Sequence, residues 1–235
     1  MEFSFEFVRN SLGVIAAAIP MTLFLTLFPV AVGLVLGFGL AAVRIKKIQV
    51  GSQLVTVYLS FFRSVPLLIL LFLAYYGIPK LLNAIFNGGA RVLSSANISS
   101  TVTAVIVITL YSSAYLCEII RGALSSVDFR QMEAAHAVGM TRTQSYLRII
   151  IPQTIIVALP NFFNFVLSLL KGTSVVFVIT VMDIMNAAKV QADKGYRFIE
   201  AYTIVGIIYI VFSLVLSVVF KKIEQNAKKH LGVIQ

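Results

Sequence analysis

Seven polar residues interrupt otherwise apolar stretches of this chain: Arg63, Glu118, Asn161, Asn164, Lys171, Thr173 and Ser174. Desolvating such groups without partners is costly, so at membrane depth they face one another, a packed helix or a watery path. The chemistry they could do is to hold a polar, charged solute. A plainer role stands beside each. Arg63 can snorkel to an interface, Glu118 can pair with Arg121 three residues on, and the Asn, Thr, Ser and Lys residues can pack helices or serve a break in one. Bond-making chemistry has no comparable cluster. The two histidines, His136 and His230, fall in charged segments, so no catalytic residue is expected, nor a metal site or cofactor. The single cysteine, Cys117, excludes an internal disulfide and a Cys-based metal site, and reads as a small buried hydrophobe.

The elements that must position these residues are membrane spans. Of the 235 residues 59% are hydrophobic and 12% charged, with mean hydropathy +0.96, whereas soluble domains carry about 25% charged residues. No charge occurs between Asn10 and Arg44, which is longer than the roughly 20 residues a span needs. The first span is expected around residues 22–43, with Pro20 and Pro29 starting or bending it and Gly33, Gly37 and Gly39 forming a small-residue face. Further spans are expected near 66–82, with Ser64 as cap and Pro66 in the first turn, near 101–120, near 154–170, and near 201–220. Gly122 is expected to allow close approach at the end of the third. Residues 83–100 and 186–197 read as outer loops. Lys171 to Ser174 punctuates a second apolar piece that could be short or re-entrant. The acidic start, with Glu2 and Glu6, lacks the features of a cleaved signal peptide.

Net charge +10 does not point to nucleic acid, because the basic residues sit in the breaks between apolar runs. Arg44, Lys46, Lys47, Arg121, Arg130, Arg142, Arg148, Lys221, Lys222, Lys228 and Lys229 fall on one side. Arg9, Lys80, Arg91, Lys189, Lys194 and Arg197 fall on the other. Eleven against six predicts an all-α membrane protein of about five helices, with the N-terminus outside and the C-terminus cytosolic.

The longest charged segment, residues 128–153, lies on the cytosolic side of that topology. Gln131 to Val138 are good helix formers with Glu133 in the first turn, where the helix dipole favours an acid. Gly139 suits the left-handed C-cap, and Thr141 with Gln144 spells a capping box for a second helix leading to Pro152. Helix, sharp turn and helix make a stiff protrusion of the kind that docks into another protein.

Glu133-Ala134-Ala135, three residues, Gly139, nine residues, then Ile149 and Pro152 resembles the EAA signature of permease subunits of binding-protein-dependent ABC importers. Ile151 stands where that family has Leu. Phe62-Arg63-Ser64-Val65-Pro66-Leu67, Tyr111 to Tyr115 with Glu118, Arg121 and Gly122, and Leu170-Lys171 with Thr173-Ser174 resemble stretches of its polar amino-acid uptake branch, with Val175 and Arg130 as departures. The resemblance implies a MetI-like all-helical fold, one transmembrane permease domain over 1–235 and a cytosolic coupling segment at about 122–152. It implies a multi-pass protein of the bacterial inner (plasma) membrane. Glu133, Ala134, Ala135 and Gly139 would engage cytosolic ABC ATPase subunits, since the chain lacks the G-x-x-x-x-G-K-[ST] phosphate loop. Other implied partners are a second permease subunit, identical or different, an extracellular solute-binding protein and the lipid bilayer. The cargo it implies is a polar or sulfur-containing amino acid. The alternatives are another small solute of the same importer class, or a secondary transporter or channel, for which the inverted repeats of such folds are not visible.

Overall fold

The structure is a computed structural model, and it describes residues 3–86, 94, 98–128 and 130–230. Among these residues five helices are long and apolar enough to cross a membrane. The first helix, α1 (Phe5–Ala16), is not one of them. Ser4 caps it, its hydroxyl accepting from the Phe7 N–H (3.3 Å), and the Ser4 N–H donates to Glu200 (3.2 Å). The uncharged run thus begins with a separate helix. Pro20 suits the break, because in the first turn of the next helix its missing N–H needs no partner. α2 (Ile19–Ile45) then starts with Pro20 in its first turn and carries Pro29 inside.

Gln49–Ser64 forms α3, an amphipathic helix about 24 Å long at 1.5 Å per residue, short of the ~30 Å hydrocarbon core. Its Val55 and Leu59 pack with Ala114 and Cys117 of the third span, and Tyr58 Oη donates to the Leu110 carbonyl (2.8 Å). Ser64 ends α3 rather than capping the next span. Pro66 takes the cap position, with Val65 extended (φ −93°, ψ 127°), the conformation favoured before proline. α4 (Leu67–Phe86) reaches past the expected end, so Asn83 is buried in a helix and not in a loop. The rest of that expected loop lies largely outside the described residues. α4 contains a π turn at Leu73–Gly77, directly before Pro79.

α5 (Ser100–Ser126) is the most enclosed span and forms the hub. α2 lies closest to it, because Gly33 and Gly37 leave the room. A Cβ at Gly33 would lie 2.8 Å from Ser112 Cβ, and one at Gly37 3.0 Å from the Cys117 nitrogen. Gly39 and Gly122 meet nothing within 4 Å, so neither does the close-contact work expected of it. Cys117 is fully buried, as expected.

α6 (Arg130–Ala137) is the short helix of the charged segment. α7 (Arg142–Ile179) runs unbroken through Pro152 and Pro160. It passes Pro152, which has no N–H to return to the turn before it, by widening into a π turn at Tyr146–Ile150. No re-entrant piece follows Lys171; the helix tightens into a 3₁₀ stretch at Thr173–Ile179 and stops at Thr180 (φ +66°). The expected loop after it is a helix, α8 (Ile184–Gly195), capped by the buried Asp183 (Oδ1 to Asn186 N–H, 2.9 Å). The Lys189–Asp193 pair (2.8 Å) supports its exposed face. α9 (Phe198–His230) is the last span and shows most of its apolar surface.

Candidate functional site

Two places in this frame gather the chemistry-bearing residues. The first is the protrusion. Gly139 takes φ +84°, its N–H donates to the His136 carbonyl (3.0 Å), and the Met140 N–H donates to Ala135 (3.0 Å). These two bonds close a Schellman turn, and His136 Nδ1 adds a third by donating to Met140 O (3.0 Å). Thr141 and Gln144 exchange both bonds of the capping box (2.9 and 3.3 Å). Ala135 is buried against the rest of the protein, while Glu133, Ala134, Val138 and Gly139 face outward.

At its start Arg130 folds back on Asp128, its backbone N–H at 3.0 Å from Oδ1 and its guanidinium at 2.9 Å from Oδ2. That guanidinium holds the exposed Asp128 carboxyl below its usual range. A carboxylate with a lowered folded pKa keeps its contact as pH falls through the ordinary carboxylate range and loses it only as pH passes the folded value. The start of α6 therefore stays ordered through mild acid and loosens below it. Hydrogen exchange at Gln131 in a pH series checks this, and Asp128→Asn removes the acid-dependent step. Identical profiles for both proteins would exclude the contact as the cause.

A feature invisible in the sequence pattern joins this protrusion to the membrane. The side-chain amides of Gln131 and Gln153 donate to each other (2.6 and 3.3 Å), tying the first turn of α6 to α7 just beyond Pro152. The only signal was two glutamines flanking the segment.

The second place lies within the spans. Glu118 pairs with Arg121, as expected (2.8 Å), but also with Arg44 from α2. Arg63 from α3 stands 4.0 Å from Glu118 Oε2 and 5.6 Å over the Tyr115 ring. Three guanidiniums from three helices thus converge on one carboxylate. Arg63, with 44% of its side chain exposed, is the most accessible of them. Beside it a cavity of about 360 Å³ opens between α4, α5 and α7, lined by Leu67, Tyr111, Tyr115, Asn161, Asn164 and Ser168 among others. So the cavity brings Asn161 and Asn164 together, while Arg63 does not line it and reaches its wall only over the Tyr115 ring. Tyr111 and Tyr115 join the amides as lining residues, a role the sequence reading of their stretch did not give them. Lys171 is exposed and does not line the cavity. Thr173 is fully buried with its hydroxyl on Leu170 O (2.8 Å), and Ser174 follows in the 3₁₀ stretch. No group of three or more metal-ligating His, Cys, Asp or Glu side chains occurs among the described residues.

Residues 33–229 match the family of the binding-protein-dependent transport system inner membrane component. A probable amino-acid ABC transporter permease of Vibrio harveyi, PatM, is 38% identical over 89% of both chains. The L-cystine transport system permease TcyL of Bacillus subtilis is 33% identical over 97% of this chain and 93% of its own. Among solved structures, an amino acid ABC transporter crystallised with histidines superposes with a TM-score of 0.81 at 30% identity, covering 96% of this chain and all of the other. The methionine transporter MetNI superposes at 0.70 and 15% identity, covering 91% of this chain and 96% of its own, a likeness of fold. The chain therefore belongs to the inner-membrane permease components of binding-protein-dependent ABC importers, a multi-pass transport subunit with the MetI-like fold.

Proposed function

We propose that this permease passes a polar or sulfur-containing amino acid through the membrane, received from an extracellular binding protein and driven by separate cytosolic ATPases. The observation that carries the cargo class is the cavity walled by Tyr115, over whose ring the Arg63 guanidinium lies. A zwitterion entering it must have both charges matched. Arg63 offers a cation for the carboxylate, and the Tyr111 and Tyr115 rings with the Asn161 and Asn164 amides offer partners for the ammonium group. About 360 Å³ falls in the range of small-molecule sites, and the relatives' names support the class. In this reading Glu118 positions Arg63, while Lys171, Thr173 and Ser174 flank the path as the wall and stop of α7.

The whole of 1–235 acts as one permease domain whose coupling segment, about 122–152, faces the cytosol with the C-terminus, leaving the N-terminus outside. Glu133, Ala134, Ala135 and Gly139 seat in the ATPase, and ATP-driven closure of the ATPase pair switches two permease subunits, identical or different, between inward and outward states. The exposed apolar faces of α2 and α9 meet the second subunit and lipid. In proteoliposomes holding the complete transporter, Asn164→Leu is expected to raise the KM for amino-acid uptake about tenfold and leave basal ATP hydrolysis unchanged. An unchanged KM for every amino acid in a panel would remove the cavity from the path.

A further inference from the structure

A second hollow, on a different side of α7, carries none of these groups. Between α2, α5 and α7 lies a cavity of about 370 Å³, walled by side chains such as Leu34, Ile119, Ile155, Ala158 and Phe162. Its one polar residue, Thr154, turns its hydroxyl away onto the Ile150 carbonyl (2.8 Å). Phe38, Ile120, Leu124 and Ile151 also line an adjoining cavity of about 590 Å³, so the two form one groove. That second cavity ends at Lys46, Arg142 and Tyr146. Lys46 caps the end of α2 and Arg142 opens α7, so both sit where these helices leave the apolar zone. Neither has an ion-pair partner among the described residues, and no acid lines either cavity.

An apolar slot closed at one end by two unpaired cations and a phenol is complementary to a single class of molecule. We propose that this groove holds an anionic phospholipid, one acyl chain lying along α7 and the phosphate between Lys46 and Arg142. From Tyr146 to Phe162 the helix rises about 24 Å, more than half the ~30 Å hydrocarbon core, so the slot takes a whole acyl chain. Clustered cations at the edge of the membrane favour anionic headgroups. A zwitterionic headgroup would leave its own cation beside the two side chains. The lipid belongs to the cytosolic leaflet on the orientation proposed above; the binding itself does not depend on orientation.

The test is native mass spectrometry of the full-length permease in mild detergent, titrated with phosphatidylglycerol and with phosphatidylcholine of matched chains. Phosphatidylglycerol is expected to bind about tenfold more tightly. The double variant Lys46→Gln, Arg142→Gln brings it to the phosphatidylcholine level, while Arg148→Gln, an exposed cation outside the groove, changes nothing. Ala158→Phe fills the slot and lowers binding of both lipids, and inorganic phosphate does not displace either. Equal binding of the two lipids, or undiminished phosphatidylglycerol binding in the double variant, overturns the proposal. So does loss of dimer in Ala158→Phe with lipid binding intact, because a second copy then covers the groove. Should Ala158→Phe not fold, the double variant decides alone. Failure here leaves amino-acid uptake untouched, and failure of uptake leaves the lipid result standing.

Discussion

Gly139→Val lowers ATP-coupled uptake at least tenfold while membrane insertion stays normal. The reason is conformational and not steric. A Cβ at position 139 meets nothing within 4 Å, but the backbone sits at φ +84°, where a β-branched residue is a strained outlier. Such strain is of order 1–3 kcal/mol, enough to favour a relaxed backbone in place of the Schellman turn. The turn sets the angle between α6 and α7, so its relaxation swings the exposed face of Glu133, Ala134 and Val138 out of register with any docked partner. Gly139→Asn, which tolerates the left-handed region, is expected to keep most of the activity. Glu133→Lys, at an exposed first-turn position, is expected to lose activity while costing stability only the helix-dipole contribution of about 0.3–1 kcal/mol. Uptake in proteoliposomes with the ATPase and binding protein, beside labelling of inserted protein, separates these outcomes. Full uptake in both Gly139→Val and Glu133→Lys would end the coupling assignment.

The second large effect is on stability. At Gly33 and Gly37 even one added carbon has nowhere to go. The nearest atoms are Ser112 Cβ at 2.8 Å for one, and the Cys117 nitrogen and Ser113 oxygen at 3.0 Å for the other. Backbone atoms cannot rotate aside, so α2 must lift from α5. Overpacking of this kind costs about 1–3 kcal/mol, and Gly37→Leu more than Gly37→Ala. For a chain of this size the unfolding midpoint falls by about 2–4 °C per kcal/mol. Gly39→Ala is the control, since that site is open and alanine is the better helix former. Thermal unfolding of the purified variants checks the order, and equal midpoints for Gly37→Ala and Gly39→Ala would refute it.

These two regions differ in how far the sequence revealed them. The protrusion was legible almost residue by residue, because a C-cap glycine and a capping box are local signals resolved within four positions. The spans were legible because helices in lipid must be apolar for about 20 residues, a property any window reports. The Glu118–Arg121 pair lies three residues apart and was readable for the same reason. What stayed hidden is what joins distant positions. Arg44 is 74 residues from the carboxylate it pairs with, and the packing of α3 on α5, with Tyr58 Oη on the Leu110 carbonyl, joins positions 52 residues apart. α8 hid for a different reason. Its buried face, Ile184 with Ala187, Ala188 and Ala192 at helical spacing, is mostly alanine and stands out little from a polar run, so the plain signals were its Asp183 cap and one i,i+4 pair. The glycines show the limit most plainly. Three in α2 looked alike, and only tertiary contact separates the two that matter from the one that does not.

The amide pair between Gln131 and Gln153 has a mechanical consequence. A displacement of α6 can reach α7 along the chain only through the turn at Gly139 and the π turn at Tyr146–Ile150. The paired amides form a strut across both, delivering the displacement beyond Pro152, where the regular helix resumes. With the stiff turn on one side and the amide strut on the other, α6 and the base of α7 form a triangle, and the long helix pivots as a rigid rod instead of bending at its base.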